Sequence, residues 1–478
     1  MEYLNIVTHI ILIMSLGWYL ITNLQWYNYK LDRVVFKHHK WQWHITYFLS
    51  PIVLFYLIPE PYFSGYFFII YLTSFVLWNR KLTNPLVMTA RVKRFLAILL
   101  ILTFIVIGIC LMYEDCVNKI IFIPLILTYI LSTILEKLLF ISFKNRAKQR
   151  HRSIAGLRTV AITASFGKTS IKNFLYHVLK SRFKVYKTPR SVNTIAGLVL
   201  DVNRDLPLDT QIYIAEAGAR IKGDIEEIAL FLEPQICVIG SVGEQHIEYF
   251  KTLNNIIHTK MELLKSPRME MGFVHESVPI KDYPKITKFP NNLNILKSTL
   301  DGIWFEVEVG GRVEEFYAPI LGSFNAINLT AVILVAYNLG MSILEIKVAL
   351  TTIPQVEHRL QKIEQNGKVI LDDSFNGNLE GMLEAVKISS TYDGRRVIIT
   401  PGLVEATDTA NIMLAKAIDE TFDLVIVTGS LNTHIFTSNI HKDKLIVLKD
   451  KSQMQTILAS STRVGDLILF ANDAPNFI

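Results

Sequence analysis

The first 140 residues contain five apolar segments with almost no charge, each close to the roughly 20 residues that an α-helix needs to cross a bilayer. They are residues 3–22, 41–58, 62–78, 95–113 and 120–140. Over the whole chain, 51% of residues are hydrophobic and the mean hydropathy is +0.33. No small-residue cleavage site follows the first segment, so it does not fit a removable signal peptide. The pattern predicts an α-helical transmembrane domain of about five spans over residues 1–150.

The loops between these segments alternate in charge, which predicts an orientation in the membrane. Three stretches are rich in Lys and Arg: residues 30–40, 80–94 and 144–158. The two loops that alternate with them, "IPEPY" and "YEDCVNK", hold almost no positive charge. By the positive-inside rule, the N-terminus lies outside and everything after residue 143 is cytoplasmic. We therefore expect a multi-pass protein of the cytoplasmic membrane.

The net charge of the chain, +7, originates in those three basic stretches. They contain fifteen Lys or Arg side chains and one acid, Asp32, a net +14 that leaves the rest of the chain at −7. Basic charge in this place indicates contact with an anionic membrane surface, and we expect no nucleic-acid partner. The three cysteines, Cys110, Cys116 and Cys237, lack metal-ligand spacing and predict neither a disulfide framework nor a zinc site.

Residues 159–180 have the strand, loop and helix order of a phosphate-binding loop. The apolar run "TVAIT" is followed by "ASFGKTS" and then by apolar residues at helical spacing. Backbone N–H groups of such a loop would face phosphate oxygens, Lys168 would reach the terminal phosphates and the Thr169 hydroxyl would bind Mg²⁺. The long form of the motif fails because Ile162 stands in place of its first glycine, and a shorter form has Ala164 in place of glycine. A short turn with a solvated lysine is the alternative interpretation.

Further strand-like runs end in polar residues that could complete a site. "QIYIAEAGAR" presents Glu216 at its end, "QICVIGSVGEQHIEYF" ends in a glycine loop with His246, and the helix-like "NNIIHTKMELL" carries Lys260. Ligands of open α/β sheets bind outside the carboxyl ends of the strands, so these groups could converge on one edge with the loop. A carboxylate, a hydroxyl and an imidazole near phosphates predict a magnesium site. Taken singly, each residue is explained as a helix-start carboxylate, a loop histidine or a solvated lysine.

The last part of the chain predicts a second, mostly parallel sheet. The pattern is five short apolar runs separated by helix-like stretches: residues 369–373, 396–402, 424–429, 444–448 and 466–470. Before them, "WFEVEVGGRVEEFY" alternates around a Gly-Gly pair, which predicts a structural β-hairpin within residues 301–317. Pro354 lies near the expected hinge between two α/β domains.

In this order, the motifs resemble those of the Mur ligases. The resemblance rests on "ASFGKTS", "EAGARIKGDIEEIALFLEPQICVIGSVGEQHIEYF" followed by "HTKMELL", "LGSFNAINLTAVILVAYNLG", "EHRLQKI" and "ILDDSFNGNLEGM". The resemblance covers about residues 158–472. The order and spacing of the motifs are similar to those of the MurF type, which adds D-alanyl-D-alanine to UDP-N-acetylmuramoyl-tripeptide. It implies a central P-loop-type ATPase domain at residues 151–353 and a C-terminal Rossmann-like domain at residues 354–478, with ATP between them.

The resemblance implies an ATP-dependent amide ligase of peptidoglycan synthesis in the inner membrane of a bacterium. The γ-phosphoryl group of ATP would move onto a substrate carboxylate, the amine of D-alanyl-D-alanine would attack the acyl phosphate, and ADP and phosphate would leave. Because two anions meet in this transfer, Mg²⁺ and cationic side chains must neutralise their charge. The implied cofactors and partners are ATP, two Mg²⁺ ions, UDP-N-acetylmuramoyl-tripeptide or a lipid-linked equivalent, D-alanyl-D-alanine, the lipid bilayer and other cell-wall synthesis proteins.

The family also implies a role for each matching residue. Three are catalytic: Lys168 on the β and γ phosphates, Arg359 reaching from the C-terminal domain toward the γ-phosphate, and Lys260, whose match in related ligases is carbamylated. The other nucleotide contacts are Ser165, Gly167, Thr169 and Ser170 in the loop, Asn325 and Asn328 near the adenine, and Asp373 near the ribose. The Mg²⁺ ligands are Thr169 and Glu216 for one ion, and His246 for a second that Lys260 bridges. The substrate contacts are Asn193, Ser374, Phe375 and Asn376.

Several features depart from the family pattern. Ala164 replaces a glycine, Phe324 stands where the family often has histidine, and Thr194 replaces the second asparagine of a pair. The apolar segments occupy the place of the domain that grips the uridine nucleotide in soluble members. The substrate could therefore be a lipid-linked precursor that faces the basic cluster at residues 144–158. Two other hypotheses remain: the same chemistry on another envelope carboxylate, such as a polyglutamate, and a transporter or scaffold with a regulatory ATPase domain.

Overall fold

The computed structural model describes residues 2–113, 120–243, 250–280, 284–290, 292–374, 378–404, 406–448 and 450–472. The chain divides into two compact units, Met1–Phe143 and Lys144–Ile478. The first unit is helical and the second is built around β-sheets.

The helices of the first unit follow one another through short connections. They are α1 (Glu2–Trp26), α2 (Leu31–Phe36), α3 (Gln42–His44), α4 (Ser50–Leu57), α5 (Tyr62–Tyr66), α6 (Leu72–Arg80), α7 (Ala90–Cys110) and α8 (Ile123–Ser153). π-Helical turns at Ile45–Leu49 and Phe67–Tyr71 join α3 to α4 and α5 to α6.

Three helices in the described part of the chain are long and apolar enough to cross a membrane: Tyr3–Trp26, Ala90–Cys110 and Ile123–Ser153. They overlap the first, fourth and fifth predicted spans. The second and third predicted spans are also helical, from α3 to α4 and from α5 to α6, but each contains a π-helical turn, in which the hydrogen bonds run from i to i+5. The helical nature of all five segments is therefore confirmed, and the number that crosses a membrane stays a prediction.

Polar and aromatic contacts hold α1 against its neighbours within the first unit. The Tyr19 ring lies 5.2 Å from that of Trp78, and the hydroxyls of Thr8 and Ser64 are 3.0 Å apart.

Cys110, the last residue of α7, is disulfide-bonded, which the cysteine spacing did not predict, and Cys237 in the second unit is a buried free thiol.

A parallel six-stranded sheet forms the first layer of the second unit, in the order β2-β3-β1-β4-β5-β6. Its strands are β1 (Arg158–Thr163), β2 (Val185–Lys187), β3 (Ile212–Glu216), β4 (Ile236–Ile239), β5 (Met271–His275) and β6 (Ile286–Phe289). The helices among and after them are α9 (Lys168–Leu179), α10 (Ile195–Arg204), α11 (Asp224–Leu232), α12 (Leu253–Met261), α13 (Phe324–Asn338) and α14 (Ile343–Thr351). The central strands are buried on both faces, as expected of a sheet covered by helices. The strands predicted within residues 159–163, 211–220 and 235–250 are confirmed as β1, β3 and β4, which end at Thr163, Glu216 and Ile239. Residues 244–249 of the last stretch lie outside the described residues.

The predicted hairpin is confirmed, within a three-stranded antiparallel sheet in the order β7-β8-β9. Its strands are β7 (Asn294–Thr299), β8 (Gly302–Val309) and β9 (Arg312–Ala318). The turn between β8 and β9 is the Gly310-Gly311 pair, with φ of 60° and 78°. Two consecutive positive φ values suit the two-residue turns that match the twist of a hairpin.

The second six-stranded sheet has the order β10-β11-β15-β12-β13-β14, in which only the edge strand β10 is antiparallel. Its strands are β10 (Gln361–Gln365), β11 (Lys368–Asp373), β12 (Arg396–Thr400), β13 (Leu424–Thr428), β14 (Leu445–Leu448) and β15 (Leu467–Ala471). The accompanying helices are α15 (Leu379–Ser390), α16 (Asp408–Thr421), α17 (Thr433–Asn439) and α18 (Met454–Ser461). All five predicted apolar runs are strands of this sheet. The antiparallel edge strand β10 was not predicted.

Each large sheet has its own hydrophobic core. Two residues of the central part of the chain, one just before α13 and one at its start, pack in the core of the C-terminal sheet. Leu321 is 1% exposed in the core of the C-terminal sheet, and Phe324 packs against that core. The amide of Ser323 donates to Glu384 Oε1 of α15 at 2.9 Å. These contacts join the two sheets within the second unit, while the exact domain boundaries at residues 150 and 353 stay predictions.

Candidate functional site

The phosphate-type loop lies between the end of β1 and the start of α9. Gly167 precedes the first residue of α9 with a φ of 81°, a left-handed conformation that favours glycine. A Cβ at this position would lie 2.5 Å from Asn328 Oδ1 of α13, so the close approach of that helix also requires glycine. Thr169 and the buried Ser170 follow in the first turn. The first N–H groups of α9 have no partner within the helix, which is the arrangement that binds phosphate.

Ala164 fits this loop without the conformational freedom of glycine. It is absent from the residues with positive φ, so the loop makes its left-handed turn at Gly167. Its buried methyl group lies beside Gly240, where an added Cβ would be 2.9 Å from Ala164 Cβ. Ser165 Oγ donates to Gly243 O at 3.0 Å, which ties the loop to the same neighbouring segment. A glycine after β4 therefore makes room for the alanine in the motif.

Lys168 folds its side chain back over the loop. Its Nζ donates to Ala164 O and, at 2.9 Å, to Ser165 O. Burial lowers the pKa of Lys168 to about 8, while Glu216 opposes this shift and Arg359 adds to it. A phosphate oxygen in the loop would be a better, anionic acceptor, so nucleotide binding would favour the charged amine.

Glu216 ends β3 in a buried ion pair with Lys172, a residue that sequence reasoning missed. Its Oε1 lies 2.7 Å from Lys172 Nζ, and both side chains are 1% exposed. Lys172 Nζ also donates to the carbonyls of Arg190 and, at 2.9 Å, of Thr188. The signal in the sequence was the spacing "KTSIK", because a residue four positions after Lys168 lies on the same face of the helix.

The donors of the predicted magnesium site are only partly within the described residues. Glu216 and Thr169 supply a carboxylate and a hydroxyl, oxygen ligands of the kind that Mg²⁺ prefers. His246 lies outside the described residues. Within those residues, no group of three or more His, Cys, Asp or Glu side chains could hold a metal ion. Glu216 and Thr169 therefore fit a Mg²⁺ ion whose remaining ligands would come from the phosphates of a nucleotide.

Lys260 is a buried amine near the end of α12. Its side chain is 4% exposed. Burial lowers the pKa of Lys260 well below its usual value, and the positive charge of Lys168 lowers it further. A neutral amine is the form that reacts with CO₂, so this environment fits a lysine that is carbamylated.

Arg359, next to the C-terminal sheet, interacts electrostatically with charged groups near the phosphate-type loop. It lies between α14 and β10, flanked by His358 and Leu360 with positive φ values of 61° and 52°. Burial lowers the pKa of Arg359, against the charges of Asp373 and Glu216. Because Glu216 belongs to the central sheet and Asp373 to the C-terminal sheet, the guanidinium interacts with carboxylates of both.

Asp373 is the buried carboxyl group at the end of β11. Its Oδ1 accepts a hydrogen bond of 3.1 Å from the amide of Leu360. Burial raises the pKa of Asp373 to about 7, although Arg359 and that hydrogen bond act in the opposite direction. Lys168, Glu216, Arg359 and Asp373, four of the predicted site residues, thus form one chain of interacting charges.

Asp372 organises the residues next to Asp373. Its Oδ1 accepts from the Ser374 hydroxyl at 2.5 Å and from the Ser374 amide at 3.1 Å, and its Oδ2 lies 2.7 Å from His358 Nδ1. The Ser374 hydroxyl, predicted to contact substrate, is therefore committed to Asp372. Phe375 and Asn376, predicted beside it, lie outside the described residues. His358 was not predicted, although it directly precedes Arg359 in the motif "EHRL".

The predicted nucleotide residues Asn325 and Asn328 are buried on α13. Asn328 Nδ2 donates to Asn325 Oδ1 at 3.1 Å, and Asn325 Nδ2 donates to Leu321 O at 2.7 Å. Asn328 lies against Gly167, so this pair supports the loop from the side. Contact with adenine stays a prediction.

Asn193 and Thr194 shape the segment next to Glu216. The amide of Gly218 donates to Asn193 O at 2.8 Å, and a Cβ on Gly218 would lie 2.7 Å from Asn193 Cγ. Thr194 caps α10, since its hydroxyl accepts from Gly197 N at 3.3 Å. Thr194 therefore serves as the N-cap of α10, a role that asparagine could also fill, so the cap alone does not explain the departure from an Asn-Asn pair.

Known proteins share this architecture. Residues 162–336 match the Mur ligase middle domain. The UDP-N-acetylmuramoyl-tripeptide–D-alanyl-D-alanine ligase of Bacillus subtilis is 24% identical over 66% of this chain and 73% of its own length. The ligase of the same name from Borreliella burgdorferi is 29% identical over 57% of this chain and 62% of its own length, which is less than two thirds.

A solved structure has the same fold. The MurF ligase of Thermotoga maritima in complex with ADP is 22% identical, with a TM-score of 0.59, over 70% of this chain and 80% of that one. Residues 162–336 are therefore similar to the Mur ligase middle domain, and over 70% of its length the chain shares its fold with a MurF ligase.

Proposed function

We propose that this chain is an ATP-dependent amide ligase of peptidoglycan synthesis that joins D-alanyl-D-alanine to UDP-N-acetylmuramoyl-tripeptide. The names of its relatives in Bacillus subtilis and Borreliella burgdorferi state this reaction. The observation that carries the proposal is the mutual interaction of Lys168, Glu216 and Arg359, which come from two sheets and act on one another's charge. Such a site suits a triphosphate that must react with a carboxylate.

In this mechanism the γ-phosphoryl group moves from ATP to the terminal carboxylate of the tripeptide. Lys168 and Arg359 offset the negative charge that builds up between the two reacting anions. The amine of D-alanyl-D-alanine then attacks the acyl phosphate, an amide forms, and phosphate leaves. Because Arg359 belongs to the C-terminal domain, closure of the two domains would complete the site and exclude water.

Mg²⁺ would be held by Thr169 and Glu216 together with nucleotide phosphates, and supplies further charge neutralisation when bound. We propose that a carbamylated Lys260 and His246 hold a second ion. Lys172 fixes the orientation of the buried Glu216 carboxylate, because its amine contacts that carboxylate and two backbone carbonyls. The proposed contacts of Asn193, Asn325, Asn328, Ser374, Phe375 and Asn376 with substrate or nucleotide follow from the family motifs.

The reaction is tested with the purified full-length chain in detergent. ATP, Mg²⁺, D-alanyl-D-alanine and UDP-N-acetylmuramoyl-tripeptide are added together or with one omitted, and both phosphate release and product mass are measured. We expect phosphate release only when both substrates are present, with a product heavier by the dipeptide residue. Lys168→Ala should lower the rate by about 10²–10³-fold, as loss of a charge-stabilising donor does.

Lys180→Ala is the matched control, since Lys180 is an exposed lysine directly after the same helix. It should leave the rate unchanged. Phosphate release without any amide product would contradict the ligase and favour a regulatory ATPase. A product with polyglutamate in place of the tripeptide would favour the other envelope carboxylate.

We also propose that the chain lies in the bacterial inner membrane with its N-terminus outside and its ligase unit in the cytoplasm. Three apolar helices of sufficient length and the alternation of basic loops support this orientation. The disulfide at Cys110 supports it as well, since that helix end would face the oxidising exterior. Protease added to right-side-out cells should leave residues 144–478 intact, and cleavage there would refute the orientation.

The basic cluster at residues 144–158 gives less support to a lipid-linked substrate than its charge suggests. Lys144 Nζ lies 2.6 Å from Glu227 Oε1, and Lys148 Nζ lies 2.8 Å from Glu233 Oε1. Arg152 also pairs with Glu233. Because these cations are neutralised by acids of α11 and the following residue, the nucleotide-linked tripeptide is the substrate we propose.

A further inference from the structure

A cavity of about 970 Å³ lies in the first unit. It is bounded by the end of α1, the segment leading into α3, and the stretch from α5 to the residues after α6. Its wall is aromatic, with Trp43 packed edge-on against Trp78 at 5.7 Å between ring centroids. Trp26 Nε1 donates to Asn84 O at 3.0 Å, which fixes one side of the opening. The cavity is thus held by packed rings and a hydrogen bond between separate segments.

One end of this cavity is cationic. Lys40 and Lys81 line it and are exposed, and Lys40 Nζ lies 4.6 Å from the centroid of the Trp43 ring. His39 adds an exposed imidazole at the same end, whereas both ring nitrogens of His38 are engaged, Nε2 with Asn23 Oδ1 and Nδ1 with the amide of Lys40. None of the described residues that line the cavity is acidic. These donors can therefore hold an anion that carries several oxygens, such as a phosphate.

The other end is apolar and open. Ile69 and Ile70 line it and are 75% and 59% exposed, and Leu77 lies between this end and the basic one. Lys81 lies twelve positions after Ile69 in the sequence, which corresponds to about 18 Å along a helix. That length covers more than half of a hydrocarbon core about 30 Å thick. A hydrocarbon chain entering beside the isoleucines would reach the level of the lysines.

The cations at this cavity differ from the other basic cluster of the chain. Lys144, Lys148 and Arg152 have carboxylate partners. Lys40 and Lys81 form no ion pair with any described carboxylate, and both belong to stretches that the positive-inside rule assigns to the cytoplasmic surface. Their charge is therefore free to meet a headgroup at that surface.

We propose that this cavity binds a lipid with a phosphate headgroup, with the phosphate between Lys40 and Lys81 and the hydrocarbon chain along Leu77 toward Ile69. The headgroup chemistry is shared by an anionic membrane phospholipid and by a polyprenyl diphosphate. The proposal does not depend on the ligase reaction, because binding is measured without ATP.

The full-length protein in a phosphate-free maltoside detergent is titrated with four probes and followed by native mass spectrometry. The probes are dioleoyl phosphatidylglycerol, a polyprenyl diphosphate, dioleoylglycerol and inorganic phosphate. We expect the two phosphate-headed lipids to bind at least tenfold more tightly than dioleoylglycerol or inorganic phosphate. A clear preference between the first two identifies the source of the ligand, and equal binding supports the shared chemistry.

Two variants locate the site. Lys40→Gln with Lys81→Gln should weaken binding of the phosphate-headed lipids about 30-fold, at about fivefold for each cation near the surface. Lys30→Gln with Lys37→Gln removes the same charge from the same membrane surface, outside the cavity, and should change binding by less than about twofold. Thr73→Trp should block the hydrocarbon chain and weaken the lipids while inorganic phosphate is unaffected.

Several results would overturn the proposal. Equal binding of dioleoylglycerol would show that the phosphate is not recognised, and equal binding of inorganic phosphate would show that the hydrocarbon chain is not. Equal weakening by the two double variants would show general attraction to the surface. All of these exposed substitutions are compatible with folding, which unchanged circular dichroism would verify.

Discussion

The edges of the two six-stranded sheets meet with opposite charge imbalances. At the edge of the central sheet, Lys168 is an amine that has no ion pair with a carboxylate of the described residues, because the nearby Glu216 is paired with Lys172. Burial lowers the pKa of Lys168 to about 8. At the C-terminal sheet the buried group is a carboxyl, because burial raises the pKa of Asp373 to about 7. Arg359 interacts with carboxylates of both edges.

This difference indicates what each edge requires from a ligand. The amine of Lys168 is held below its usual basicity, so an anion would restore its charge, and the carboxyl of Asp373 needs a donor such as a hydroxyl. A nucleotide has phosphates at one end and ribose hydroxyls at the other, and it would satisfy both edges at once. Charged groups arranged before the substrate arrives are the usual source of transition-state stabilisation in enzymes.

The largest expected effect is the loss of the group shared by the two edges. Arg359→Ala should lower phosphate release by about 10³–10⁵-fold, the range for a guanidinium that stabilises phosphoryl transfer. Arg359→Lys keeps the positive charge but lacks the planar guanidinium, so its rate of phosphate release should lie between those of the unmodified enzyme and Arg359→Ala. Arg312→Ala, at the exposed first residue of β9, is the matched control and should be neutral. A rate within about tenfold of the unmodified enzyme for Arg359→Ala would separate the two edges functionally.

The next effect concerns the ion pair of the central edge. Lys172→Met should lower the free energy of unfolding by about 3–5 kcal/mol, because it leaves the buried Glu216 charge without a partner. Urea unfolding of the full-length chain in detergent measures it. Lys180→Met, on an exposed lysine directly after the same helix, should change stability by less than about 0.5 kcal/mol.

A second substitution distinguishes the ion pair from lost packing. Glu216→Gln combined with Lys172→Met removes both charges and should recover most of the stability. If the double variant is as unstable as Lys172→Met alone, the lysine acts through its contacts with Thr188 and Arg190 rather than through Glu216.

The positions of Lys168 and Glu216 could be predicted because they depend on the order of strands and loops. Residues that directly follow parallel strands meet at one edge, whatever the details of packing. The pairing of Lys172 with Glu216 could not be predicted in the same way. It depends on how α9 packs against β3 and the segment after β2, residues that are far apart in the sequence.

Two other differences have separate causes. The edge strand β10 was missed although Asn366-Gly367, with φ of 52° and 70°, is a strong hairpin signal in "EQNGK". The sequence therefore carries a local signal for this hairpin. The π-helical turns in the second and third predicted spans have no comparable local signal, since the hydropathy of a segment does not depend on which carbonyl each amide bonds.

The carboxyl of the C-terminal edge makes stability depend on pH. Because the pKa of Asp373 rises from 3.8 to about 7 on folding, the folded chain holds the proton more tightly. This contribution to stability is complete below pH 3.8 and is lost as the pH rises through 7. Relative to Asp373→Asn, the wild-type chain should lose about 2–4 kcal/mol between pH 4 and pH 8, at about 1.4 kcal/mol per pKa unit. An identical pH dependence of stability for the two proteins would show that folding does not raise the pKa of Asp373.

The smallest effect tests whether shape, as well as charge, defines the central edge. Gly240→Ala would place a Cβ 2.9 Å from Ala164 Cβ, and neither methyl group can rotate away because both are fixed by the backbone. We expect a loss of about 1–3 kcal/mol, the usual cost of overpacking a buried site. Ala164→Gly in the same chain removes the clash, so the double variant should recover most of that loss. Additive effects in this double-mutant cycle would mean that the two positions do not interact, and the absent motif glycine would then need a different compensation.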